Sequence, residues 1–219
     1  MIKALVFDAY GTLFDVYSVR KACNDLFPDK GDAISQTWRS KQLEYFFLRQ
    51  LFERYKPFDE ITRDSLRYAC KENGVTLSKE DESRLMEAYL ELALFEEVEE
   101  VLKDLSDKQL VVFSNGSENM IAPLVDQSRI QPYIDSVISA DEIKQYKPTP
   151  AAYNHALERL GVSREEVLFM SSNPWDILGA KSFGFRTAWI NRNELPEEEL
   201  DIQPDSIYSD LSGIKEWTE

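Results

Sequence analysis

The chain has 219 residues, 43% of them hydrophobic and 12% aromatic, and 40 acidic side chains against 25 basic ones give it a net charge of −15 and a pI near 4.6. That balance excludes an ordinary phosphate-backbone binder, which needs a clustered basic face, and the composition is that of a folded chain. One histidine, His155, and two distant cysteines, Cys23 and Cys70, exclude a four-ligand zinc site and a C-x-x-C redox pair, so chemistry here has to rest on carboxylates.

The length predicts roughly one to two domains. The apolar start at 2–7 is interrupted by Asp8 and followed by no small-residue cleavage site, so it is read as a strand and not a signal peptide. The block 15–93 holds helical stretches at 36–55, 60–72 and 79–92 and no convincing strand. Its aromatic run Tyr45, Phe46, Phe47 with Leu51 and Phe52 exceeds one helix stripe. A helical stripe follows at 95–105, with apolar residues at 95, 98, 101, 102 and 105. Strands are expected at 110–113, 167–170 and 187–190, with a helix at 150–160 stopped by Gly161 and a capping box opening at Ser163. Continuous apolar runs of this length suit strands buried on both faces of a parallel sheet. The expected fold is α/β, a doubly wound parallel-sheet core formed by 1–14 and 94–219, with 15–93 inserted as a helical subdomain. No apolar run approaches the ~18 residues needed to cross a bilayer, and a cytoplasmic protein without nucleic-acid or membrane partners is expected.

In open α/β sheets, ligands bind beyond the carboxyl ends of the strands. That rule singles out Asp8, Ser114 with Asn115, the segment from Ser171 to Asp176, and Asn191. Each alone would pass for a turn or cap residue; their convergence is what points to a site. Gly11 and Gly116 permit close backbone approach at two of these ends, while His155 is expected on a helix surface.

The string from Phe7 to Asp15 (FDAYGTLFD), Ser114-Asn115-Gly116-Ser117, Tyr146-Lys147-Pro148-Thr149-Pro150 and Ser171-Ser172-Asn173-Pro174-Trp175-Asp176 occur in this order. Together with Trp38-Arg39-Ser40-Lys41-Gln42-Leu43-Glu44-Tyr45 and Trp189-Ile190-Asn191-Arg192, they resemble the L-2-haloacid dehalogenases of the haloacid dehalogenase superfamily, over nearly the whole chain. The resemblance implies a Rossmann-like core with a helical cap, and hydrolysis of short (S)-2-haloacids to (R)-2-hydroxyacids plus halide. Asp8 is the nucleophile it implies, ionised at neutral pH because an ordinary aspartate has a pKa of ~3.9, and forming an ester with inversion at C2. Thr12 and Lys147 would hold that carboxylate. Ser114 and Lys147 would receive the substrate carboxylate, and Arg39 with Asn115 and Trp175 the departing halide. Asp176, positioned by Ser171 and Asn173 with Tyr153 in the polar shell, would activate water. Tyr10, Leu43, Phe58 and Trp175 would form an apolar pocket for the alkyl carbon and halogen.

Superfamily phosphatases carry a second Asp two residues after the nucleophile, and here that residue is Tyr10. With Ser171 and Asn173 in the fourth motif, the acids of a Mg²⁺ site are missing, so no metal and no cofactor is expected. Two departures from the family stand out. Ser40 replaces a larger glutamine, which would widen the pocket, and Pro174 removes an N–H and stiffens its loop. A Mg²⁺-dependent phosphatase and a non-catalytic binding protein on the same fold stay open as rivals. The resemblance and the excess of apolar groups on 36–55 together imply a homodimer.

Overall fold

Alternate residues of the apolar runs bury on opposite faces of one sheet, which is why those runs are continuous and not alternating. Leu5, Phe7, Val112, Leu168 and Met170 fill one core, and Ala4, Val6, Val111, Phe113 and Phe169 fill the other. The structure, a computed structural model, describes residues 1–105 and 107–217.

In chain order the elements are β1 (Ala4–Phe7), a short β2 (Phe14–Asp15), α1 (Val19–Leu26), α2 (Gly31–Leu51), α3 (Phe58–Glu72), α4 (Lys79–Ala88), a short β3 (Ala93–Leu94), α5 (Val98–Asp104) and β4 (Gln109–Ser114). There follow α6 (Glu118–Asp126), β5 (Ser136–Ser139), α7 (Pro150–Leu160), β6 (Val167–Ser171), α8 (Pro174–Phe183), β7 (Arg186–Ile190) and β8 (Ser206–Tyr208). The six-stranded sheet has the order β5-β4-β1-β6-β7-β8, and all its pairs are parallel. The chain passes from β1 to β4 on one side and later returns to β6 on the other. The carboxyl ends of these three strands therefore meet at the switch in strand order, where an open parallel sheet forms its crevice.

All four expected strands are present, and the sheet adds two more. Both additions are short and end in polar residues, Ser136 and Ser139 in one and Ser206 and Tyr208 in the other, so their hydrophobic signal is weak. Between β2 and β3 the chain is helical, but those two strands pair antiparallel, Phe14 with Leu94 and Asp15 with Ala93. This ribbon also escaped the sequence reading, because two-residue strands carry no periodicity. α2 starts five residues before the expected 36 and stops at Leu51, four short of 55, and α4 stops at Ala88, short of 92. α8 begins inside the fourth motif with Pro174 in its first turn, where the missing N–H costs nothing. Among the described residues, no helix is long and apolar enough to cross a membrane.

α8 packs against the segment that follows Lys147. A Cβ built on Gly179 would lie 2.4 Å from Pro148 Cβ and 2.6 Å from the Tyr153 hydroxyl. Helix propensity alone favours Ala over Gly by about 1 kcal/mol, so the sign of Gly179→Ala depends on packing. We expect this substitution to destabilise the protein by roughly 1–3 kcal/mol, because both neighbours are held rigidly. Urea denaturation checks it, and a gain in stability would refute the close packing.

Candidate active site

Asp8 follows β1 directly, and its amide extends the parallel ladder by donating to the Met170 carbonyl at 2.8 Å. The chain then turns at Gly11, whose φ of +88° lies in the left-handed region that a side chain would strain. The turn brings Thr12 back towards Asp8, and the loop after β6 meets both. The Ser172 amide donates to the Thr12 hydroxyl (2.8 Å) and the Asn173 amide to the Ser171 hydroxyl (3.1 Å). Each hydroxyl, its oxygen engaged by an N–H, donates its own proton to Asp8 Oδ2, at 3.2 and 3.3 Å. Asn173 Nδ2 adds a third donor to the same oxygen at 2.9 Å.

The other carboxylate oxygen faces Lys147. Its Nζ is fully buried and donates to Asp8 Oδ1 (2.9 Å), Asp176 Oδ2 (2.6 Å) and the Phe113 carbonyl (3.0 Å). The rings of Phe113 and Phe169 lie 5.0 and 5.1 Å from it. An ammonium has three protons, and all three are committed. Asn115 fixes the lysine's backbone, accepting from its N–H at 2.8 Å and donating to its carbonyl at 3.2 Å. Burial opposes the Lys147 charge, but the carboxylates of Asp176 and Asp8 outweigh it and hold the ammonium above the ordinary lysine range.

Asp176 is wholly buried, with Lys147 on one oxygen and the Tyr153 hydroxyl on the other at 2.7 Å. Burial pushes its carboxyl up to about 6, and one shared lysine offsets this only in part. Ser171 and Asn173, expected beside Asp176, hold Asp8 instead. The sequence placed them in the right loop but could not show which acid their donors face. Ser114 is fully buried, and its oxygen accepts from the Gly116 amide at 2.9 Å.

The helical segment contributes Arg39 from α2, which donates to Gln42 Oε1 at 2.7 Å and to Asn173 Oδ1 at 3.4 Å. A cleft of about 450 Å³ opens here, lined in part by Gly11, Arg39, Ser40, Leu43, Asn173 and Arg192. The expected apolar pocket is divided. Leu43 lines the cleft, whereas Tyr10 stacks on Phe58 at 5.7 Å and Trp175 packs on Phe46 at 5.4 Å in an adjoining aromatic cluster. Tyr10 is buried, and burial holds its phenol well above the ordinary range, hence neutral. Asn191, a fourth strand-end candidate, closes a turn onto both backbone groups of Leu195 and takes no part in the site. His155 is half-buried 3.3 Å from Glu142, not on an open helix surface.

Two residues here were not given roles by the sequence. Arg192 donates to the Thr12 carbonyl at 2.8 Å and to Glu97 at 2.6 Å, fixing the turn that carries Thr12. Gln42 receives Arg39. Both sit inside strings that the family resemblance marked, which is the signal that could have found them. Among the described residues, no three His, Cys, Asp or Glu side chains gather where they could hold a metal.

The profile of haloacid dehalogenase-like hydrolases matches residues 2–184. The (S)-2-haloacid dehalogenase of Pseudomonas putida is 40% identical over 99% of this chain and 96% of its own length. Haloacetate dehalogenase H-2 of Moraxella sp. (strain B) is 44% identical over 97% of this chain and 96% of its own. The structure of the L-2-haloacid dehalogenase from Xanthobacter autotrophicus with chloropropionic acid covalently bound is similar at a TM-score of 0.92, with 35% identity over 100% of this chain and 98% of that one.

Removing the shared cation makes a further expectation sharp. Lys147→Met leaves two facing buried carboxylates uncompensated, which costs about 3–5 kcal/mol. The Asp176 carboxyl, already raised by burial, loses the cation that lowers it and rises further above its unfolded value, so the folded variant binds more protons and its stability falls more steeply as pH rises. Urea midpoints for the variant should therefore drop from pH 5 to pH 8 relative to the wild type, and a parallel pair of pH curves would contradict the shared-cation arrangement.

Proposed function

The chain belongs to the haloacid dehalogenase-like hydrolases, and we propose that it hydrolyses short (S)-2-haloacids to (R)-2-hydroxyacids and halide through an aspartyl ester on Asp8. The observation that carries this is the asymmetry of the Asp8 carboxylate. Among the described residues, Oδ2 is ringed by three donors and Oδ1 has only Lys147. Oδ1 keeps a lone pair for attack on C2 from the side opposite the halogen, while the donors fix the carboxylate in line.

Halide leaves beside Arg39, where negative charge develops as the carbon–halogen bond breaks. The substrate carboxylate is received by the Ser114 hydroxyl, whose proton is free of the Gly116 contact, and by neighbouring backbone N–H groups. In the ester, Oδ2 is the carbonyl oxygen. Water attacks Cγ, the charge moves onto Oδ2, and Thr12, Ser171 and Asn173 already surround it as an oxyanion hole. Asp176 takes the water proton, and Tyr153 and Lys147 hold it in place. The Cγ–Oδ1 bond then breaks and the departing alkoxide takes the proton held by Asp176, while the regenerated Asp8 carboxyl, now carrying water's oxygen, loses its proton to solvent; the product hydroxyl thus carries the former Asp8 oxygen.

This route uses no metal. The gap between Asp8 and Asp176, which a divalent cation would need, is spanned by the Lys147 ammonium, and Tyr10 occupies the second-acid position of a phosphatase. The helical segment 15–93 acts as a cap, delivering Arg39 and Leu43 to the cleft. A homodimer is supported by Leu51 and Phe52, which stand 77% and 59% exposed at the end of α2. The free, buried thiols of Cys23 and Cys70 suit a reducing, cytoplasmic setting.

Chloride should be released from (S)-2-chloropropionate and not from its enantiomer, undiminished by EDTA, and Asp8→Asn should abolish it. Phosphate release from a phosphoester with Mg²⁺, or equal activity of wild type and Asp8→Asn, would reverse the assignment. In ¹⁸O-water, a single turnover should label Asp8 and not the product. Because Asp176 must be ionised to accept a proton, and esterification removes the Asp8 charge that helps push its carboxyl up to about 6, steady-state turnover should fall with a midpoint below that value as pH drops, while the first-turnover burst of halide persists. The protein should elute as a dimer, and a 25.4 kDa monomer would contradict the dimer assignment.

A further inference from the structure

Among the described residues Arg39 has no carboxylate partner, in a protein of net charge −15. Both of its hydrogen bonds run to neutral amide oxygens, of Gln42 and Asn173. Gln42 lies one turn further along α2 and is wholly buried. Its Oε1 accepts from Arg39 at 2.7 Å and from the Tyr89 hydroxyl at 3.2 Å, and its Nε2 donates to the Thr62 hydroxyl at 2.8 Å. Thr62 in turn donates to the Phe58 carbonyl at 2.7 Å. Because the Thr62 proton is committed, its oxygen can only accept from the Gln42 side. A flipped amide would set N–H against donors at one end and oxygen against oxygen at the other. One orientation of Gln42 is allowed, and it presents an uncharged acceptor to the arginine.

We propose that Gln42 is a positioning residue for halide departure, aiming the Arg39 guanidinium into the cleft while leaving its charge uncancelled. The proposal rests on the reading above that Arg39 receives the halide. A carboxylate at position 42 would hold the guanidinium equally well, but would quench its attraction for an anion. A neutral amide does the first without the second. The line of contacts continues from Arg39 through Asn173 to Asp8 Oδ2, so the halide site and the nucleophile are braced against each other.

The test compares two inhibitors of the full-length enzyme: chloride, which occupies the leaving-group site, and propionate, which carries the carboxylate but no halogen. Gln42→Glu keeps the shape and the acceptor towards Arg39, with the Thr62 hydroxyl turning its proton from the Phe58 carbonyl to the new carboxylate, and should weaken chloride inhibition by about tenfold or more, since a charge-assisted contact is lost to the new carboxylate. Gln42→Met, which frees the guanidinium, should lower kcat by about 10- to 100-fold through misorientation. In both variants, inhibition by propionate should stay within about twofold, a selectivity that general loosening of the fold cannot produce. Arg39→Ala is the reference, and should lose chloride inhibition altogether. Should Gln42→Met fail to fold, Gln42→Glu decides alone. Chloride and propionate constants that shift together, or not at all, in Gln42→Glu overturn the positioning role if Arg39→Ala loses chloride inhibition. Wild-type protein that releases no halide overturns the functional reading itself.

Discussion

A single ammonium group between two buried carboxylates is the constraint around which this site is arranged. Taking three charges out of water is costly, and the pairing offsets that cost only if every remaining donor and acceptor is satisfied. Lys147 meets the condition by spending its third proton on the Phe113 carbonyl, at the end of the strand next to the one that ends at Asp8. Asn115 clamps the lysine backbone from that same strand end. The parallel sheet thus supplies the nucleophile, the carbonyl and the clamp from two adjacent strands, and the third strand leads into the helix that carries Asp176. Burial pushes the Asp176 carboxyl up to about 6, and the cation it shares with Asp8 offsets this only in part.

The second organising device is the direction of proton donation around Asp8. Two backbone amides of the loop after β6 each engage a hydroxyl oxygen and so oblige that hydroxyl to donate onward to Oδ2. Serine, threonine and asparagine suit this role because they orient a carboxylate without adding charge. Acids at the same places would repel Asp8 unless a cation were bound. The same logic recurs around Arg39, where neutral amides hold a charged group without cancelling it. The large negative charge of the chain lies mainly at the surface, and the interior is settled locally by which atom faces which.

How much of this was legible beforehand follows from the physics of each signal. Strands buried on both faces read as continuous apolar runs, so the four central ones could be located from residue order alone, as could the polar residues at their ends. The edge strands β5 and β8 and the two-residue ribbon bury too little to leave such a trace. Asn191 shares the strand-end position of Asp8 but lies next to the edge strand β8, away from the switch in strand order, and sequence does not distinguish the two. The allocation of hydrogen bonds was hidden as well. That Ser171 and Asn173 serve Asp8 rather than Asp176, and that Lys147 bridges the two acids, depends on contacts of 2.9 to 3.3 Å between segments more than a hundred residues apart in the chain.

The β2–β3 ribbon has an implication for how such a protein can diversify. The chain enters the helical segment through Phe14 and leaves it through Leu94, and these two residues pair directly. Whatever lies between them is a closed excursion with both feet on one stone. Lengthening or replacing such an excursion changes closure entropy only slowly, by about 0.6 kcal/mol for each doubling of length. The helices that shape the cleft and carry Arg39 can therefore be exchanged while Asp8 at its strand end keeps its register, so the contact to the leaving group and the nucleophile are inherited through separable stretches of the chain.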